Sequence, residues 1–96
     1  MNYVDRSTGE MVFELARATA RTVNLVLGFG QEQLRRLPMR LDRGRWVARL
    51  ALQPGWVFYS FEVDGRLKGD SEAGRLRSAD GTRCSLALVP ALARLG

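Results

Sequence analysis

Between Arg45 and Gly65 the chain reads R-W-V-A-R-L-A-L-Q-P-G-W-V-F-Y-S-F-E-V-D-G, two alternating runs separated by one turn signal and closed by another. In the first run Trp46, Ala48, Leu50 and Leu52 alternate with Arg45, Val47, Arg49 and Ala51. In the second, Val57, Tyr59, Phe61 and Val63 alternate with Trp56, Phe58, Ser60 and Glu62. Successive side chains of a strand point to opposite faces, so a period of two predicts one buried row and one outer row in each run. Gln53-Pro54-Gly55-Trp56 suits a type II turn, with φ preset by proline at the second place and glycine able to take positive φ at the third. Asp64-Gly65 is a pair favoured by the two-residue type I′ hairpin. These signals predict a hairpin in which Leu52 faces Val57, Leu50 faces Tyr59 and Ala48 faces Phe61. A slip of one residue would set buried positions against exposed ones.

The flanking sequence repeats the short-strand pattern. Met11 to Leu15, Val23 to Phe29, Pro38 to Leu41, Arg66 to Lys68 and Cys84 to Val89 read as strands, the last stopped by Pro90. Val23, Leu25, Leu27 and Phe29 form an inward row. Tyr3 and Val4 can add an edge strand to a polar, loosely held start. Gly30 to Leu37 reads as a polar connection with room for a helical turn through Leu34 and Leu37. Asp42-Arg43-Gly44 reads as a turn, Ser71 to Thr82 as a surface loop, and the tail after Pro90 as frayed or a single helical turn. Six or seven short strands, turn signals every 8–12 residues and no helical period predict an all-β, immunoglobulin-like antiparallel β-sandwich. Residues 1–96 are expected to form a single domain with loose termini.

A chain of 96 residues buries roughly 60–65% of the surface it exposes when unfolded, enough for one core without covalent staples. The single cysteine, Cys84, excludes an intramolecular disulfide and reads as a small apolar filler. No apolar run approaches the roughly 20 residues needed to span a bilayer. The start lacks the charged and apolar regions of a signal peptide, so a cytoplasmic location and no membrane partner are expected. The net charge of +5 raises the question of nucleic acid, but the arginines are dispersed and not interleaved with stacking aromatics, which disfavours it. The absence of histidine removes the commonest general base. Asp70, Glu72 and Asp80 have no spacing that pairs carboxylates, and no metal or phosphate-loop spacing occurs. Catalysis, cofactors and metals are therefore not expected. Trp46 lies in an inward row and reads as core.

Four stretches together resemble a known family: V-x-L-x-x-x-F at Val23 to Phe29, Pro38-Met39, G-x-W at Gly44 to Trp46, and P-G-x-x-x-Y-x-F-x-V-D-G at Pro54 to Gly65. The chain from about Met11 to Val89 resembles the glycogen-binding domain family, which includes the β subunit of AMP-activated kinase and the N-terminal domains of isoamylase and glycogen branching enzyme. The resemblance implies an early-set immunoglobulin-like sandwich of about seven strands that carries no catalysis and binds α-glucan. It also implies a set of sugar-contacting positions. The family's first tryptophan falls on Glu32, its lysine on Ser60, its second tryptophan on Leu67 and its asparagine on Cys84, while its threonine matches Thr82. Aromatic side chains bury about 150–250 Å² each, so losing both indoles removes most of the stacking area. A sugar would need a rearranged platform.

Such a platform can be read from the alternation, which sends Trp56 and Phe58 outward with Ser60 and sets Leu67 beside Glu62 across the Asp64-Gly65 turn. With Leu67 they would make a patch of order 300–500 Å², the size that marks an interaction surface. Alternatively, Trp56 lies against its turn and Phe58 is covered by Ala51 and the stem of Arg49. Three partners fit an open patch: α-glucan, a neighbouring protein, or a second copy of this chain forming a homodimer. Arg49, opposite Ser60 and diagonal to Glu62, would complete a polar rim. The candidate contact residues are thus Trp56, Phe58, Ser60, Leu67, Arg49, Glu32 and Thr82. Two functions follow as expectations: a non-catalytic carbohydrate-associated module with most family sugar contacts replaced, or a protein-interaction or self-assembly domain using the same face.

Overall fold

The computed structural model describes residues 1–17, 19–28, 34–70, 75–77 and 83–91. Among them are ten strands: β1 (Asn2–Val4), β2 (Met11–Leu15), β3 (Val23–Gly28), β4 (Leu34–Pro38), β5 (Arg40–Asp42), β6 (Arg45–Leu50), β7 (Gly55–Val63), β8 (Arg66–Lys68), β9 (Arg75–Arg77) and β10 (Arg83–Val89). One sheet has the order β1-β2-β6-β5; the other has β4-β3-β7-β10-β9, with β8 also paired to β7. Every pairing is antiparallel. The all-β antiparallel sandwich anticipated from the alternation is what forms. The strand count exceeds the expected six or seven because the optional edge strand β1 forms and because β4 and β9 lie in stretches that read as connections.

The core lies between the sheets. Met11, Phe13, Trp46 and Ala48 enter it from one sheet, and Val23, Leu25, Leu27, Val57, Tyr59, Phe61, Val63, Ala87 and Val89 from the other. The Phe13 and Tyr59 rings meet edge to face across it, with centroids 4.9 Å apart, and Tyr59 makes a second edge contact with Phe61 at 5.7 Å. Each such buried side chain contributes about 1.5–3 kcal/mol of transfer free energy. Trp46 is buried as expected, and its indole N–H donates to the Arg17 carbonyl at 2.8 Å. That bond satisfies a donor that would otherwise be costly to bury.

The predicted hairpin between residues 45–52 and 56–63 does not form. β6 pairs with β2 and β5, so that Leu50 lies opposite Met11 and Ala48 opposite Phe13. β7 pairs with β3, β10 and β8, setting Tyr59 opposite Leu27 and Ser85. The chain bends at Pro54, Gly55 takes a φ of 133°, and residues 51–54 carry it from one sheet to the other. Both arrangements bury the same rows. In a hairpin they would lie side by side on one sheet, whereas here they face each other through the core.

Two tight hairpins among the described residues use left-handed residues. Arg43 (φ 52°) with Gly44 (φ 80°) joins β5 to β6, and Asp64 (φ 48°) with Gly65 (φ 85°) joins β7 to β8, the positive-φ pairs a type I′ turn requires. The Asp64 carboxylate also accepts the backbone N–H groups of Arg21 and Thr22, each at 2.9 Å. The Thr22 bond, then that from Arg21, holds this carboxyl below the usual aspartate range.

Three further expectations are corrected. Residues 34–38 are a strand and not part of a loop with a helical turn: among the described residues β4 is an edge strand paired with β3, and Pro38, lacking an N–H, is tolerated at such an edge. The stretch read as one surface loop from Ser71 to Thr82 contains β9; its other residues lie outside those described, as does the tail from 92 to 96. The amino-terminal segment is not loose. β1 pairs with β2, Asn2 donates its amide to the Tyr59 hydroxyl at 2.9 Å, and the Met1 ammonium meets Asp70.

Candidate functional site

The alternation of β7 turns Trp56, Phe58, Ser60 and Glu62 toward the outside of the larger sheet, and strand register decides what stands beside each. On β3, Gly28, Val26 and Asn24 lie opposite Phe58, Ser60 and Glu62. On β10, Leu88 and Leu86 lie opposite Trp56 and Phe58. Leu67 of β8 lies opposite Glu62. On β4, Leu34, Arg36 and Pro38 lie opposite Gly28, Val26 and Asn24.

The face has an apolar end and a polar end. At the apolar end Trp56 is 65% exposed, Phe58 45%, Leu88 53% and Leu34 79%, so the reading in which the two aromatic rings are covered is excluded. Gly28 leaves the floor open between the last two rows: a Cβ there would sit 3.7 Å from the Phe58 Cβ and 3.8 Å from a Leu34 methyl, filling the space between them. At the polar end Glu62 accepts the Asn24 amide at 3.0 Å on one carboxylate oxygen and the Arg36 guanidinium at 2.9 Å on the other. Leu67, 44% exposed, borders Glu62 on its far side.

Of the predicted contact residues, Trp56, Phe58 and Leu67 share this face and are exposed. Ser60 shares it but is buried, at 6% exposure. Arg49 does not join them. It lies on the other sheet, opposite Val12, and donates to Asp5 at 2.8 Å with Glu10 at 3.8 Å. Its assignment to the rim depended on the hairpin that does not form. Glu32 and Thr82 lie outside the described residues. Cys84, expected as filler, is buried.

Sequence reasoning missed Leu34, Leu88, Asn24 and Arg36. Leu88 was legible in principle, since Leu86 and Leu88 alternate with Ala87 and Val89 and one of those rows must face out. Leu34 and Arg36 were hidden by reading their segment as a loop.

The outer face of the smaller sheet is occupied by its own ion pairs. Glu14 accepts from Arg45 at 2.7 Å and from the Tyr3 hydroxyl at 2.5 Å, over a Val12 that is fully buried. The Tyr3 bond, and after it Arg45, holds the Glu14 carboxyl below its ordinary range, and the same bond raises the Tyr3 phenol. Arg36, Arg45 and Arg49 are thus each engaged with a carboxylate. Among the described residues no group of three His, Cys, Asp or Glu side chains converges as a metal site would require.

Neither a protein-family model nor a curated protein sequence matches the chain. Solved structures do. A pullulanase from Paenibacillus barengoltzii matches with a TM-score of 0.65 at 24% identity, over 88% of this chain and 14% of that one. Pullulanase type I from Bacillus subtilis str. 168, complexed with maltose, matches with a TM-score of 0.65 at 19% identity, over 84% and 12%. Pullulanase from Bacillus acidopullulyticus matches with a TM-score of 0.66 at 22% identity, over 91% and 11%. At these identities the likeness is one of fold. The chain spans a small fraction, 11–14%, of the pullulanase chains it matches.

Proposed function

We propose that this sandwich is a non-catalytic module that contacts α-glucan through the outer face of its larger sheet. The observation that carries this reading is the exposed pair Trp56 and Phe58, two outward positions in succession on β7. Flat aromatic rings offer a sugar ring large contact area at low conformational cost, because few torsions must be fixed. The likeness to part of the pullulanase chains supports the choice of ligand, since members of that set were solved with maltose and with maltotetraose. The platform differs in place from the positions implied by the family resemblance, using Trp56 and Phe58 in place of Glu32 and Leu67.

Titration with maltoheptaose tests it. Trp46 is buried in the core, so a saturable change in tryptophan emission reports Trp56, and Trp56→Ala abolishes it. An unchanged spectrum at millimolar sugar refutes the reading. A second reading is favoured by Leu34 and Leu88, whose exposure widens the apolar end beyond the two rings. On that reading the face docks on a protein or a second copy, and sedimentation becomes concentration-dependent in a manner lost in Trp56→Ser.

A further inference from the structure

We propose that Arg36, Glu62 and Asn24 form a hydroxyl-reading group for a linear oligosaccharide lying along β7, with Trp56 and Phe58 as its stacking end. This rests on the glucan reading above and adds to it the residues that recognise the sugar's edge.

Three observations carry the inference. The first is the bonding pattern. Each Glu62 oxygen accepts one hydrogen bond, from Asn24 and from Arg36 respectively. A carboxylate has about four lone-pair sites, so acceptor capacity remains. The Arg36 side chain is 60% exposed and has N–H groups beyond the one given to Glu62. Vicinal hydroxyls of a pyranose are both donors and acceptors, and they match a carboxylate held beside a guanidinium and an amide. The carboxylate accepts hydrogen bonds from the hydroxyls while the guanidinium and the amide donate to the sugar oxygens.

The second is position. Glu62 sits on the same strand and the same face as Trp56 and Phe58, six residues from the indole. At ~3.4 Å per residue that is about 20 Å of strand, longer than a single pyranose ring. Leu67, exposed across the hairpin from Glu62, offers the apolar contact for a ring's C–H face while its edge hydroxyls meet the polar group. A chain of sugars would thus find an aromatic end and a polar end on one face of a single strand.

The third is energetic. An ion pair at the surface adds little to folding, so stability makes little demand for this arrangement. Mutual bonding does, however, hold all three side chains in place before a ligand arrives, which lowers the ordering cost of binding.

The test is calorimetric titration of the full chain with maltoheptaose and with maltose. The proposal expects maltoheptaose to bind more tightly than maltose. It expects Glu62→Ala and Arg36→Ala to weaken maltoheptaose binding roughly tenfold, the loss of about one charge-assisted hydrogen bond, with thermal midpoints near the parent's. Glu62→Gln, which keeps one acceptor oxygen, should recover part of the loss. If both alanine variants bind like the parent while Trp56→Ala does not bind, the sugar uses only the aromatic end: the proposal fails and the glucan reading stands. Equal affinity for maltose and maltoheptaose also overturns it. If the parent binds neither sugar, the glucan reading falls and the proposal with it.

Discussion

The Tyr59 hydroxyl donates to the Asp70 carboxylate at 2.7 Å, and both residues are only 1% exposed. The same hydroxyl accepts the Asn2 amide, and the Asp70 backbone N–H donates to the Ser85 hydroxyl at 2.9 Å. One phenol oxygen therefore ties the first strand, the central strand of the larger sheet and the segment after β8 into a single buried polar knot. Tyr59→Phe keeps the ring contacts with Phe13 and Phe61 but removes the donor to Asp70 and the acceptor for Asn2. A loss of about 1–3 kcal/mol is expected, from removing one buried hydrogen bond to a carboxylate and one to an amide, read as a lower urea midpoint with an unchanged slope.

Alkaline behaviour follows from the same bond. Burial first, then donation to Asp70, pushes the Tyr59 phenol well above its ordinary value of 10.0. A folded-state pKa raised above the unfolded one contributes stability that is full below the unfolded value and declines as pH rises past it. Native protein near pH 10.5 should show less tyrosinate absorbance at 295 nm than the unfolded chain, since Tyr59 stays protonated and Tyr3 is raised as well. Adding urea at that pH should release it. A full tyrosinate signal from native protein at that pH would refute the arrangement.

At the acid end, Asp5 is the clearest group. The Ser7 hydroxyl, then Arg49, lowers its carboxyl from the ordinary 3.8 to about 2. For a depressed carboxyl the stability is present above the unfolded pKa and is lost as pH falls through the folded one. The Asp5 contribution should therefore decline between about pH 4 and pH 2. Carboxyl-detected NMR titration should place its midpoint near 2. Ser7→Ala should raise that midpoint more than Arg49→Ala does.

A contrast within β7 checks which face is which. Phe61 is fully buried and Trp56 is 65% exposed. Phe61→Ala should cost about 3–5 kcal/mol, whereas Trp56→Ala should lie within about 0.5 kcal/mol of the parent. Denaturant melts of the two variants measure both. Near-parent stability in Trp56→Ala also makes any loss of sugar binding in that variant a loss of contact.

The alternation of residues 45–63 was enough to say which side chains go inside, because pleating sends neighbours to opposite faces whatever strand lies alongside. By the same local logic Asp64-Gly65 announced its turn, since positive φ is a property of the residues in it. What remained illegible was partnership. Trp56, Phe58 and Leu67 could be placed on a face, but Arg49 could not, because its face depended on whether β6 lies beside β7 or across from it.

Four residues around Pro54 can either reverse the chain within a sheet or carry it over to the other one, and both outcomes turn Leu50 and Tyr59 toward the core alike. The choice is made by distant strands. β2 and β5 take the edges of β6, while β3, β10 and β8 take those of β7. Backbone hydrogen bonding is indifferent to side-chain type, so no local pattern encodes it. In or out was written residue by residue along the chain. Beside whom, and hence the meeting of Leu34, Leu88, Asn24 and Arg36 with Trp56, Phe58 and Glu62, was decided only when the two sheets closed over a common core.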